Sequence, residues 1–234
     1  MAIMKILIDA YQTGIQKLDR IQKGFVMINL HNQISLLKNS RSLFHSEADF
    51  QFALAWEIQK SYPKANIRLE YCPAKFPNMH LDILVELEGK WFPIELKYKT
   101  LKMNTEIGGE YFNLKNHGAQ DLGRYDFWVD VSRIEQLKQS IDNYEKGFVI
   151  MLSNDPSYWV NPRSNKETVC DSFRIHDGSN NSGTLSWIGS PSEGTIKNRE
   201  KSIELNRKYI LKWNTYSTLS DARNGTFKYL LLEI

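Results

Sequence analysis

The sequence predicts an α/β chain built on a mixed sheet, and three observations carry that prediction. Residues 81–88 and 91–98 form two runs in which apolar and charged side chains largely alternate, the period of two that a half-buried strand requires. Ahead of them, Ser46 opens a long apolar helix through Phe52, Leu54, Ala55, Trp56 and Ile58. After them, Ile134, Leu137, Ile141 and Tyr144 mark a helix that Gly147 ends, and residues 148–152 read as a buried strand. Strand, helix and strand in that order imply a parallel crossover against the hairpin, and hence mixed pairing.

Each element has its local reason. Met4, Leu7, Ile8, Tyr11, Ile15 and Leu18 recur at helical spacing with Gly24 as a stop, which predicts a packing helix. Residues 25–37 are apolar without separating helix from strand. Ser46 and Asp49 form a capping box, which sets Glu47 in the first turn, where an acid also complements the helix dipole. One strand is expected at about 67–72. Beyond the hairpin, the glycines from Ile107-Gly108-Gly109 to His117-Gly118 predict a flexible crossover, and Lys115, Asn116 and His117 stand where such a loop meets substrate. From about Asn154 the chain is rich in Ser, Asn and Gly, with short strands expected near 173–175, 184–188, 209–217 and 227–234. The expected organisation is one domain over 1–234, with an N-terminal helical segment at 1–43, a core at 44–154 and a β-rich extension at 155–234 that continues the same sheet.

Composition bounds the function. The chain has 234 residues, 41% hydrophobic and 24% charged, an ordinary balance for a soluble globular protein with a sizeable core. Its formal net charge of +3 permits a local nucleic-acid-binding patch without demanding one. Neither a long apolar span nor a signal-peptide layout is present, so the expected location is cytoplasmic, with no membrane partner. Cys72 and Cys170 lie far apart, and His31, His45, His80, His117 and His176 are scattered, a pattern that indicates neither a zinc site nor a disulfide framework. A nucleophile elbow and a glycine-rich phosphate loop are also missing from the sequence.

The chemistry concentrates on the hairpin. A two-residue turn at Glu88-Gly89 sets Asp82 directly opposite Glu95, whereas a turn at Gly89-Lys90 sets it opposite Lys97. In either register Asp82, Glu95 and Lys97 share one face. Two carboxylates held across a hairpin repel each other and are costly to desolvate, so they need a compensating cation. A divalent metal such as Mg²⁺ takes oxygen ligands and commonly uses one or two protein carboxylates. Lys97 then reaches the same place, to position a nucleophile or to neutralise charge on a phosphate.

The order of helix with Glu47, strand, strand with Asp82, strand with Glu95 and Lys97, helix, strand resembles the PD-(D/E)XK nuclease superfamily over roughly residues 44–154. That resemblance implies a restriction endonuclease-like core, a mixed central β-sheet flanked by helices, with extra C-terminal strands. It makes Asp82 and Glu95 the metal-binding acids, Lys97 the motif lysine and Glu47 the acid carried on the first core helix. The motif proline is not adjacent to Asp82; Leu81 and His80 precede it and the nearest proline is Pro77. Many members carry Gln and Tyr four residues apart on a further helix. Here Gln120 is followed by Arg124 at that distance, with Tyr125 one place late, and Gln120 is the residue the resemblance favours.

The resulting expectation is a Mg²⁺-dependent endonuclease, with Mn²⁺ as a substitute, hydrolysing phosphodiester bonds in DNA in a restriction, mobile-element defence or repair setting. A homodimer is expected if both strands of a duplex are cut. Lys197, Arg199, Lys201, Arg207, Lys208 and Lys212, interrupted by Glu200 and Glu204, form the most basic stretch; it reads either as a solvated mixed-charge surface with its Trp residues in the core, the commoner case, or as a track for phosphates with Trp187, Trp213 or Tyr216 against bases or sugars. The alternatives are an inert interaction module that keeps the nuclease fold, and a phosphodiesterase acting on RNA or a small nucleotide.

Overall fold

A computed structural model describes residues 27–162, 166–219 and 222–234. The helix expected across Met4 to Leu18 lies outside the described residues. Helix α1 (Leu30–Ser40) makes the ambiguous apolar stretch helical from Leu30 onward, and Asn29 caps it by accepting the Asn32 N–H through Oδ1 at 3.0 Å. In α2 (Glu47–Ser61), Ser46 Oγ accepts from the Asp49 N–H at 3.2 Å. The Asp49 carboxylate reaches back past the cap to the His45 N–H at 2.9 Å and to Arg41 at 2.7 Å.

Strands β1 (Asn66–Tyr71), β2 (Leu81–Leu87) and β3 (Lys90–Lys99) follow as an antiparallel meander. Glu88 and Gly89 both adopt positive φ, at 50° and 77°, which is what a primed two-residue turn requires. Leu87 therefore pairs with Lys90, and the register continues through Ile83 opposite Ile94. After β4 (Met103–Ile107) and β5 (Glu110–Leu114), helix α3 (Gln120–Ser140) carries the chain back to β6 (Phe148–Ser153). Strand β6 lies parallel to β3, with Glu95 beside Val149 and Lys97 beside Met151.

The remaining elements are β7 (Asn180–Leu185), the single-turn α4 (Glu193–Ile196), β8 (Ile203–Ile210), β9 (Trp213–Thr218) and β10 (Thr226–Glu233). The six-stranded sheet runs β1-β2-β3-β6-β10-β9, and its pairings other than β3 with β6 are antiparallel. Two separate hairpins, β4-β5 and β7-β8, stand off it.

Each face of the sheet buries an apolar layer. Ile83, Val85, Ile94, Leu96, Phe148 and Ile150 pack under α1 and α2, which contribute Leu30, Ile34, Leu54 and Ile58. Val149, Met151 and Leu230 pack under α3 with its Phe127, Val131, Ile134 and Leu137. No helix among the described residues is long and apolar enough to cross a membrane.

Four expectations are corrected. Residues 107–118 are not simply a crossover: Gly108 and Gly109 turn the β4-β5 hairpin, whose Met103, Phe112 and Leu114 are buried. The helix expected to reach Tyr144 ends at Ser140, because Ile141 is already extended and Tyr144 bridges to Trp91 instead. Near 173–175 the chain makes a single 3₁₀ turn, Asp171–Phe173, rather than a strand. The stretch 209–217 is divided between β8 and β9, which belong to different sheets.

Candidate functional site

The β2-β3 ladder ends at Ile83 opposite Ile94, so Asp82 and Glu95 are the next residues beyond it and β3 runs on past the pairing. Side-chain carboxylates serve its backbone there. Leu96 N–H donates to Asp82 Oδ2 at 2.6 Å, and Tyr98 N–H donates to Glu47 Oε2 at 2.7 Å. The cap at Ser46 starts α2 at the point that brings Glu47 to this edge. One turn further along α2, the buried Gln51 donates from Nε2 to the Asp82 carbonyl at 2.6 Å and to Glu70 Oε1 at 2.7 Å. Glu47 and Gln51 thus fix the strand ends that carry the acids.

Glu95 and Lys97 face α3, not solvent. Lys97 Nζ lies 2.6 Å from Asp130 Oδ2, and Arg133 Nη2 lies 3.1 Å from Glu95 Oε1. Arg133 also donates from Nη1 to Asp130 Oδ1 at 3.4 Å and from Nη2 to the His80 carbonyl. The side chains of Glu95 and Asp130 are 1% and 3% exposed, those of Lys97 and Arg133 17% and 25%, so the acids are the enclosed members of the cluster. A buried acid is tolerated only when paired, and α3 supplies the pairing from one residue of each sign, three apart.

Burial shifts these groups strongly. The Glu95 carboxyl is held well above the usual carboxylate range by its burial and then by the neighbouring Asp130 charge; Arg133 opposes this and Asp82 adds to it. Asp130 is pushed up to about 6 by its burial, against the pull of Lys97 and then Arg133. For Lys97, burial alone would lower the ammonium pKa, but Asp130, followed by Asp82 and Glu47, more than offsets it and raises the pKa well above the ordinary lysine value.

One oxygen is poorly satisfied. Glu95 Oε1 is buried and lacks an aligned hydrogen-bond donor, with Arg133 only at ion-pair distance, whereas Asp130 Oδ2 has the Lys97 ammonium at 2.6 Å. A poorly satisfied buried carboxylate oxygen beside a second carboxylate suits a hard divalent cation. Among the described residues, no three His, Cys, Asp or Glu side chains are already gathered around one ion-sized point.

Gln120 does not join this cluster. It is the first residue of α3 and donates to Asp155 Oδ2 at 2.9 Å. Asp130 lies ten residues further on, about 15 Å along the helix axis. Arg124 donates to the Ser157 carbonyl at 2.8 Å and lies over the Tyr158 ring, while the Tyr125 hydroxyl donates to the Lys201 carbonyl at 2.8 Å. His45 pairs with Glu110 at 2.8 Å and stacks on Phe112. His80 reaches the cluster through its carbonyl. His117 is turned to Thr100, whose N–H donates to its Nδ1 at 3.0 Å.

The two arginines of the basic stretch are engaged with the chain itself, while Lys197, Lys201, Lys208 and Lys212 are exposed. Arg199 forks onto Asp126, Arg207 lies over the Tyr209 ring, and the Trp187 indole donates to the Arg199 carbonyl. Trp213 and Tyr216 are buried, which selects the core reading of these aromatics over the base-contacting one.

Sequence reasoning missed Asp130, Arg133 and Gln51. One signal was present: Asp130 falls on the apolar stripe of Phe127, Val131 and Ile134, where an acid calls for a partner. Which partner it meets depends on the crossover that lays α3 over β3. Compared with protein-family models and with curated proteins, the chain matches none.

Proposed function

We propose that this chain is a metal-dependent nuclease of the PD-(D/E)XK kind, hydrolysing phosphodiester bonds in DNA. The observation that carries the reading is the meeting of Asp82, Glu95 and Lys97 just beyond the end of the β2-β3 ladder, on the side that faces α3. The order α2-β1-β2-β3-α3-β6, with β6 parallel beside β3, supports a restriction endonuclease-like core extended by β10 and β9.

Asp82 and Glu95 would hold Mg²⁺ or Mn²⁺, with Glu47 at the same edge and the unsatisfied Glu95 oxygen as the point of fit. When bound, such a cation supplies Lewis-acid polarisation of a phosphoryl oxygen. The chain's own groups do the rest. Lys97, kept charged by its carboxylate neighbours and held by Asp130, presents an ammonium beside Asp82 that orients a water and balances negative charge gathering on the phosphate. The Leu96 and Tyr98 amides hold the Asp82 and Glu47 carboxylates in fixed positions. Cutting both strands of a duplex would call for two copies of the chain, matching duplex symmetry.

One observation favours a second reading. Lys97 and Arg133 already neutralise much of the acid charge, as they would in an inert module that keeps the fold for binding nucleic acid or protein. Supercoiled, linear duplex and single-stranded DNA, and RNA of matched length, should be incubated with the protein in Mg²⁺, Mn²⁺ or EDTA. Metal-dependent DNA cleavage lost in Asp82→Asn and Lys97→Ala is the expected result. Preferential cutting of RNA would move the substrate class, and no cleavage without metal binding would select the inert module.

A further inference from the structure

The cations of this site are not equivalent, and Arg133 is held the more loosely. Arg199 elsewhere shows what a firmly held guanidinium looks like: its Nε and Nη2 donate to the two Asp126 oxygens at 2.7 and 2.9 Å. Arg133 instead spreads over three acceptors. It touches Glu95 at 3.1 Å without hydrogen-bond alignment, Asp130 at 3.4 Å, and the His80 carbonyl. Lys97 is deeper and keeps a single close contact with Asp130. Arg133 also lines the groove formed by Lys75, Phe76, Pro77, Asn78 and Met79, so its guanidinium has open space beside it. As a side chain on a helix, it can leave the acids by rotamer change while β2 and β3 stay fixed.

We propose that Arg133 is the resident counter-ion of this site, a cation supplied by the chain to Glu95 and Asp130 that a divalent metal displaces on binding. The inference rests on the nuclease reading. Two buried acids facing a third across the hairpin need positive charge whether or not a metal is present. Arg133 meets that need with poor directionality, and direct oxygen ligation of a divalent ion replaces it at the unsatisfied Glu95 oxygen. Displacement turns the guanidinium into the Lys75–Met79 groove, so the site exchanges its internal charge for the metal's without exposing the acids unpaired. Arg133 therefore sets the metal affinity of the site and keeps it folded between metal-binding events.

The test compares the full chain with Arg133→Gln, Arg133→Met, Arg133→Lys and Asp82→Asn. Mn²⁺ binding is followed by the electron paramagnetic resonance signal of free Mn²⁺, and thermal unfolding is recorded in EDTA and in Mn²⁺. Gln and Met remove the charge and should tighten Mn²⁺ binding about tenfold, the size of effect one close charge exerts on a carboxylate equilibrium. Lys retains the charge and should stay nearer the wild type. In EDTA the Gln and Met variants should unfold at lower temperature than wild type, and Mn²⁺ should restore more of their midpoint than it adds to the wild type's. Mn²⁺ binding that is lost in Asp82→Asn but no tighter in either charge-removing variant would overturn the role of Arg133 and leave the metal site standing. An absence of Mn²⁺ binding in wild type and in both variants would overturn the counter-ion together with the nuclease reading.

Discussion

The two faces of the β2-β3 hairpin are built from alternate residues of the same ten-residue strand, yet they are held by different physics. Toward α1 and α2, Ile94 and Leu96 join an unbroken apolar layer, in which each side chain is stabilised by leaving water and needs no particular partner. Toward α3, Glu95 and Lys97 are also enclosed, and each depends on one named side chain, Arg133 or Asp130. The apolar face has many near-equivalent contacts and tolerates change by degrees. The charged face is mutually dependent, because removing one partner strands the other in a poorly solvated place. Such an arrangement contributes little net stability for its complexity, which is why it directs attention to chemistry rather than to folding.

The comparison can be broken first at the charged face. Asp82→Asn and Lys97→Ala should each reduce DNA cleavage by at least about a hundredfold, the loss typical when a preorganised charge-stabilising group is removed. Retained plasmid nicking in either variant would place the chemistry elsewhere. At the apolar face, Ile94→Ala removes a fully buried side chain next door to Glu95 and should cost about 2–5 kcal/mol in denaturant unfolding. Mn²⁺ binding by the folded fraction should survive that substitution, and its loss would mean that the faces are not separable.

A pH series sharpens the contrast. Asp130 holds its proton up to about pH 6 in the folded chain, while the unfolded chain releases it near the ordinary aspartate value. This raised pKa contributes stability that is present below about pH 4 and lost as pH rises through about 6. Between pH 4 and 7, Asp130→Asn should therefore gain steadily on the wild type as pH rises, read from urea unfolding at each pH. A gap that stays constant with pH would show that Asp130 is not the strained member. The smallest effect is expected at Gln120, where Gln120→Ala removes the bond to Asp155 and should cost about 1 kcal/mol. Its cleavage loss should be smaller than that of Lys97→Ala, and an equal loss would bring Gln120 back to the reacting groups.

What was legible in the sequence was local. Alternation over 81–98 with Gly89 between the runs located both strands and the face their charges share, while two turns stayed open and the structure takes the one at Glu88-Gly89. The run 148–152 announced a buried strand by its unbroken apolar character. Residues 134–144 misled because Ile141 and Tyr144 keep helical spacing while packing from extended backbone. The glycines at 108 and 109 read as a flexible crossover, and nothing local said that their flanks would pair as β4 and β5. Asp130 and Arg133 became meaningful only when α3 was laid across β3, a relation over more than thirty residues that no local pattern encodes. The basic stretch divides in a way its sequence does not show: Arg199 and Arg207 meet Asp126 and the Tyr209 ring, whereas its lysines stay exposed.

The central claim is that the α3-facing acids of the hairpin form a divalent-cation site. Crystals grown with Mn²⁺ and measured for its anomalous scattering test it most directly. The account predicts a peak between the Asp82 and Glu95 carboxylates, with Arg133 turned away from Glu95. Density showing Arg133 still on Glu95, with no anomalous peak at those acids, would contradict it.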